Sequence, residues 1–191
     1  VCDIKGRPSN QILRDAEQMN CCMDHRGGVG FETNTGDGAG ILTGLPHKLL
    51  KTIALQEFTW ELPEPGRYGA GIVFMPVEEA DRQHCMAVVE GEIKAQGLEL
   101  VGWRELPIDA DAADLGVTAR AAMPFMMQLI VSASGRSGQQ AETPTDRTER
   151  FNQDALERKL YLIRKYSTNS LRQDQQLSSS ATFYICSLSC R

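Results

Sequence analysis

Between residues 66 and 131 the chain alternates compact apolar runs with amphipathic stretches, and that alternation restricts the fold more than any other feature. Ala70, Ile72, Val73, Phe74 and Met75 form a dense apolar run, so Gly66 to Val77 predicts a strand. Glu78 and Glu79 follow, where acids suit the positive end of a helix dipole. A helix is expected from there to about Gln96, with Ala80, His84, Ala87, Val88 and Ile93 roughly on one face, and Gly97 stops it. Leu98 to Ile108 predicts a second strand, alternating at Leu100, Val101 and Trp103. Asp109 to Asp114 is an acidic turn, and Ala119 to Ala133 becomes strand-like at Met127, Leu129, Ile130 and Val131. Phe151, Ala155, Leu156, Leu160 and Ile163 mark a long helix, and Phe183 to Leu188 a last strand. The middle β-α-β stretch suits an inserted or flanking lobe. Helices with one apolar stripe must cover sheets with one apolar face, so the class is α+β, and a two-layer domain satisfies the pattern.

The first forty-five residues follow a different rhythm. Ser9 or Asn10 can cap a helix whose Ile12, Leu13, Ala16, Met19 and Met23 recur at helical spacing and predict one buried face. Gly27-Gly28 ends it. Val29 to Phe31 and Gly40 to Leu45 are expected as strands around the glycine-dense Gly36-Asp37-Gly38-Ala39-Gly40 turn. Pro46 blocks continuation, and His47 to Phe58 predicts a helix with Leu49, Leu50, Ile53 and Leu55 apolar.

Composition narrows the function classes. A net charge of −5 argues against a nucleic-acid partner, which needs a concentrated basic surface. No apolar run approaches the ~20 residues of a membrane span. The six cysteines include no C-x-x-C pair and only three histidines accompany them, so a zinc framework is not expected; free, mostly buried thiols are. Ser132 to Arg150 is rich in Ser, Gly, Gln, Thr and charge without apolar rhythm, and a mobile surface loop is expected there.

Each candidate site residue has a plain structural role beside a functional one. Arg26, followed by Gly27, can satisfy helix C-terminal carbonyls. Asp37, before Gly38, can hold local amides as an Asx-turn acid. The glycine run lacks phosphate-loop spacing and has no cation after it. His25 fits a helix-terminal hydrogen bond, and His47 and His84 fit the surface or core edge. Cys21-Cys22 are expected as packing residues and Arg164-Lys165 as a solvated helix end.

Several blocks in order carry a family resemblance. Asp3-Ile4-Lys5-Gly6-Arg7-Pro8-Ser9, then His25-Arg26-Gly27, then Asn34-Thr35-Gly36-Asp37-Gly38-Ala39-Gly40-Ile41-Leu42 resemble the start of the glutaminase domain of glutamate synthases. That domain is a class-II glutamine amidotransferase. Glu157-Arg158-Lys159-Leu160-Tyr161 and Phe183-Tyr184-Ile185-Cys186-Ser187-Leu188-Ser189 resemble a later helix and strand of it. Residues 52–148 match more in rhythm than in residues.

The resemblance implies a partial four-layer αββα fold of the N-terminal nucleophile hydrolase type, with residues 1–191 an incomplete type-2 amidotransferase domain. It places the nucleophilic cysteine upstream of Val1 and the oxyanion Asn-Gly pair beyond Arg191, so no catalytic residue is expected within the chain and Cys2 is read as a decoy. The chain taken alone is accordingly expected to be inactive. Arg26, Gly27, Asp37 and Gly38 are implied to shape the substrate site, with Arg26 and Asp37 sharing an ion pair or hydrogen-bond network. The run Arg164 to Asn169 superficially resembles the family's later arginine motif, but it precedes the Phe183 strand instead of following it. Implied activity is glutamine hydrolysis, with the ammonia reductively aminating 2-oxoglutarate to glutamate. No metal or cofactor is implied within these residues, while FMN and an iron–sulfur cluster are implied for the whole enzyme. Implied partners are L-glutamine, the remaining domains of the same chain, and an NADPH-oxidising small subunit or ferredoxin. The implied compartment is the cytoplasm, or the plastid for a plant- or alga-type enzyme. Two other readings stay open: a non-catalytic amidotransferase-like module used in assembly, and a small-ligand-binding protein.

Overall fold

The structure, a computed structural model, describes residues 2–32, 34–133, 152–178 and 182–191. The chain divides into two compact units, one of Val1–Thr43 with Ile108–Met123, the other of Gly44–Pro107 with Pro124–Arg191.

The larger unit is built on an antiparallel sheet of β1 (Tyr68–Met75), β2 (Glu99–Glu105), β3 (Phe125–Ser132) and β4 (Tyr184–Ser189). Its strand order is β2-β3-β1-β4. Every neighbour pair is antiparallel, so β1 and β2 run the same way with β3 between them. In the same way β3 and β4 flank β1. The expected β-α-β stretch, β1-α3-β2, is therefore split by an intervening strand, and β3-α5-β4 is a second split unit locked into it. The connecting helices are α3 (Glu79–Ala95) and α5 (Gln153–Arg172).

One face of the sheet carries the main core. Successive strand side chains point to opposite faces, so Val73 and Met75 of β1 align with Met127, Leu129 and Val131 of β3. Onto them pack Cys85, Val89 and Ile93 of α3 and Leu156, Leu160, Ile163 and Leu171 of α5. On α5 these follow a helical stripe that also takes in the buried Ser167. The face expected on α3 was turned by a fraction of a turn: Cys85 and Val89 are buried and Ala80 and Ala87 exposed, because a free thiol packs as a small apolar group. The α3 terminus is a Schellman cap. Gly97 sits at φ +66°, and the Gly97 and Leu98 amides donate back to the Lys94 and Ile93 carbonyls.

The opposite face is covered at one end by α2 (His47–Phe58), whose Leu50 and Ala54 join Trp60, Leu62, Tyr68, Ala70, Val101 and Ile130. Of the four apolar residues read in this helix, Leu50 and Ile53 are buried, while Leu49 and Leu55 are 58% and 59% exposed. A side chain at Gly102 would overlap the Phe58 ring, so that residue lets α2 seat on the sheet. A helical layer on a sheet layer is half of the four-layer arrangement the resemblance implies.

The smaller unit begins with α1 (Asn10–Cys22), capped by Ser9, whose Oγ accepts from the Gln11 amide at 3.1 Å. The helix is as expected, but its buried face is not: no residue of α1 is buried, and Leu13, Met19 and Met23 are 41%, 52% and 50% exposed. The two expected strands at 29–31 and 40–45 reduce to a single bridge between Val29 and Gly36. Glycines at 28, 30, 36, 38 and 40 contribute no side chains to a strand pair, and so little holds one. The short helix α4 (Val117–Ala121) was not foreseen. Of the segment expected to be a mobile loop, Ser132 is the last residue of β3 and fully buried; residues 134–150 lie outside the described residues.

Candidate functional site

The Arg26-Gly27 and Asp37-Gly38 pairs lie on one small backbone hairpin in the smaller unit. After α1, a 3-10 turn at Asp24–Arg26 is closed by the Arg26 amide on the Met23 carbonyl at 2.8 Å and the Gly27 amide on the Asp24 carbonyl at 2.9 Å. The His25 Nδ1 lies 3.1 Å from the Cys22 carbonyl, the helix-terminal role expected for it. Gly28 then meets Asp37 twice. The Asp37 amide donates to the Gly28 carbonyl at 2.9 Å, and the Asp37 carboxylate accepts from the Gly28 amide at 2.9 Å. Gly36 is required there, since a Cβ would come within 2.6 Å of the Gly28 carbonyl oxygen. Gly38 and Gly40 are different, for a Cβ on either would meet nothing within 4 Å. Their missing side chains serve no packing among the described residues.

The ion pair expected between Arg26 and Asp37 is not formed. Asp37 is engaged by the Gly28 amide, and the exposed Arg26 guanidinium has no acid partner among the described residues. Asp37 thus holds the hairpin closed, and Arg26 is a cation presented beside it. A guanidinium fork of this kind is suited to a carboxylate.

The tip of the hairpin is fastened to residues 109–118. Asn34 Nδ2 donates to the Asp114 carbonyl at 2.9 Å, and the Gly116 amide donates to the Asn34 carbonyl at 3.2 Å. The Glu32 carboxylate accepts from Thr35 Oγ1 at 2.8 Å, from the Thr118 amide at 3.1 Å and from Thr118 Oγ1 at 3.0 Å. These bonds, Thr35's the strongest, hold the Glu32 carboxyl below its usual range. Reading the sequence missed Glu32, Asn34, Gly116 and Thr118. Their partners lie about eighty residues apart in the chain, and only the glycine before α4 marks the place.

The other singled-out residues fall outside this site. His84 Nε2 lies 2.7 Å from Asp174 Oδ2, joining α3 to the segment after α5. His47 Nδ1 lies 3.1 Å from the Tyr68 hydroxyl. The Arg164 to Asn169 run is helical, with Ser167 fully buried in the α5 stripe, so it is not a binding loop. Cysteines are less buried than expected: Cys2, Cys21, Cys22 and Cys186 are exposed and only Cys85 and Cys190 are buried. Burial pushes both Cys85 and Cys190 up to about 11, which makes them poor nucleophiles at neutral pH. Among the described residues no three His, Cys, Asp or Glu side chains gather as a metal site, and no helix is long and apolar enough to cross a membrane.

The chain belongs to the class-II glutamine amidotransferases, whose family profile matches residues 1–191. It is 33% identical over its full length to the ferredoxin-dependent glutamate synthase 2 of Synechocystis, of which it covers 11%. It is 33% identical to the NADH glutamate synthase of Schizosaccharomyces pombe, over 98% of the chain and 8% of that protein. To the large chain of the NADPH glutamate synthase of Bacillus subtilis it is 31% identical, over 97% of the chain and 11% of the relative. The chain thus spans about a tenth of the length of these relatives.

Proposed function

We propose that this chain is the glutaminase portion of a glutamate synthase, releasing ammonia from L-glutamine for the reductive amination of 2-oxoglutarate. The observation that carries the reading is the similarity along the whole chain to glutamate synthases that differ in electron donor. In the reaction a thiolate of the full-length chain attacks the glutamine amide carbon, ammonia leaves, and water hydrolyses the thioester to glutamate. Arg26 and Gly27 are assigned to shaping the glutamine site, with the guanidinium available to a substrate carboxylate. Asp37 holds the hairpin through the Gly28 amide, and Gly38 leaves backbone open to close approach.

Ferredoxin, NADH and NADPH each appear in the names of relatives, so the donor, and with it a small subunit or ferredoxin as partner, is a property of the remaining domains. FMN and an iron–sulfur cluster are assigned to those domains too. We place the protein in the cytoplasm, or in a plastid if it is of the plant type named for rice.

The test is a comparison of nitrogen donors in the full-length enzyme. Arg26→Ala and Asp37→Asn are each expected to lower glutamine-dependent glutamate synthesis by about 10- to 100-fold, the scale of a misplaced reacting group. Ammonia-dependent synthesis should be unchanged. Because the two side chains are not bonded to each other, the free-energy losses of the two single variants should add in the double variant. Equal loss of both activities would overturn the site assignment. A wild-type enzyme that turns over ammonia but no glutamine would favour the non-catalytic module.

A further inference from the structure

We propose that Glu32 is a positioning residue for the glutaminase reaction, a carboxylate latch that fixes the hairpin bearing Arg26 and Asp37 by gripping the start of α4. The inference rests on the function proposed above and extends it to residues that hold the site without touching substrate. Three observations carry it.

First, the Glu32 carboxylate gathers Thr35 Oγ1, the Thr118 amide and Thr118 Oγ1, all at 2.8–3.1 Å. Thr35 belongs to its own hairpin and Thr118 to α4, so one side chain joins both. Second, α4 has no cap of its own. Its N-cap residue is Gly116, which has no side chain, and Glu32 supplies the missing acceptor from 86 residues away in the chain. Third, Gly116 is a glycine for the sake of the latch. A Cβ there would overlap Thr35 Oγ1 and Glu32 Oε2. The α4 start and the carboxylate therefore fit only with that side chain absent.

The path from latch to site is short and continuous. Glu32 and Thr35 sit at the hairpin tip, the Gly30 amide bonds the Thr35 carbonyl at 2.6 Å, and Gly28 pairs with Asp37. Without the carboxylate the Asn34 bonds to Asp114 and Gly116 remain, but the Thr35 and Thr118 contacts go with it, so the hairpin that carries Asp37 and follows Arg26 is held less firmly. A charge-assisted hydrogen bond is about twice as strong as a neutral one. The ionised carboxylate is therefore the effective form, and its hydrogen bonds favour ionisation.

The test uses the full-length enzyme and four variants, Glu32→Ala, Glu32→Gln, Gly116→Ala and the double Glu32→Ala/Gly116→Ala. Glu32→Ala should raise the KM for glutamine or lower glutamine-dependent kcat by at least about tenfold, with ammonia-dependent synthesis unchanged. Glu32→Gln, which keeps one acceptor oxygen, should recover part of the loss. Gly116→Ala should reproduce the Glu32→Ala phenotype, and the double variant should be no worse than either single. Amide hydrogen exchange, which needs no activity, should show faster exchange at Thr118 and Gly28 in Glu32→Ala. Unchanged glutamine kinetics or unchanged Thr118 exchange in Glu32→Ala overturns the latch. So does a parallel fall in both nitrogen-donor activities. Failure of the underlying function would look different: wild type would release no ammonia from glutamine, whatever the exchange data show.

Discussion

Single residues decide more here than the composition suggests. Gly71 lies in the middle of β1, between β3 and β4. A Cβ on it would overlap the Ser187 carbonyl oxygen of the neighbouring strand, and backbone cannot swing away as a side chain can. Gly71→Ala is expected to destabilise by about 1–3 kcal/mol, the usual cost of forcing an atom into a filled space. Urea unfolding would show it as a lowered midpoint, and an unchanged midpoint would mean that β4 can slide. Gly38→Ala is the contrasting case, since a Cβ there meets nothing. The glycines of one sequence thus serve unlike purposes, and the contacts separate them. Cys85 teaches the same lesson in the core, where a thiol stands for an apolar residue.

At the scale of elements, the end of β4 is fastened to α5 by a buried-edge carboxylate. Glu157 Oε1 accepts from Ser189 Oγ at 2.6 Å and from the Cys190 amide at 2.7 Å. Partial burial pushes the Glu157 carboxyl upward, and the bonds from Ser189 and Cys190 outweigh it, so the group stays below its ordinary value of 4.5. A carboxyl depressed in the folded state stabilises above its unfolded pKa. That contribution disappears as the pH falls through the folded value. Glu157→Gln should therefore be less stable than wild type at neutral pH, with the gap closing below about pH 4.5. Denaturant midpoints at pH 7 and under acid conditions check this, and a gap independent of pH would rule the charge out. Helix α1 shows the limit of element-level reading. Its spacing and Ser9 cap made it legible, yet no residue of its apolar stripe is fully buried, with Ile12 and Ala16 half-buried and Leu13 and Met19 exposed. Periodicity states which face seeks cover and is silent on what covers it.

On the scale of the whole molecule, burial is unequally shared. The larger unit holds both apolar clusters, while α1 buries none of its side chains. Local opening follows buried contact, so amides of α1 should exchange with solvent orders of magnitude faster than those of β1 and β3. Equal protection throughout would show the two units to open as one. The segment after β3 offers a second check. Residues 134–150 include almost no apolar side chains to bury, so a short Gly-Ser linker in their place should shift the melting temperature by no more than about 2 °C. Carrying the replacement back to the buried Ser132 should cost several degrees, because it removes the end of β3.

The sequence by itself determined the α+β class, four of the helices, the four strands and the glutaminase motifs, because periodicity and caps are local and stripes of apolar residues survive any context. Tertiary structure alone decided that β3 splits β1 from β2, that Arg26 and Asp37 do not pair, and that Glu32 reaches Thr118. The strand order and the Glu32 bond join residues far apart in the chain, and the Asp37 result turns on which partner the carboxylate takes. Local pattern has no term for them, since strand order and side-chain partners are set by which surfaces can be covered together.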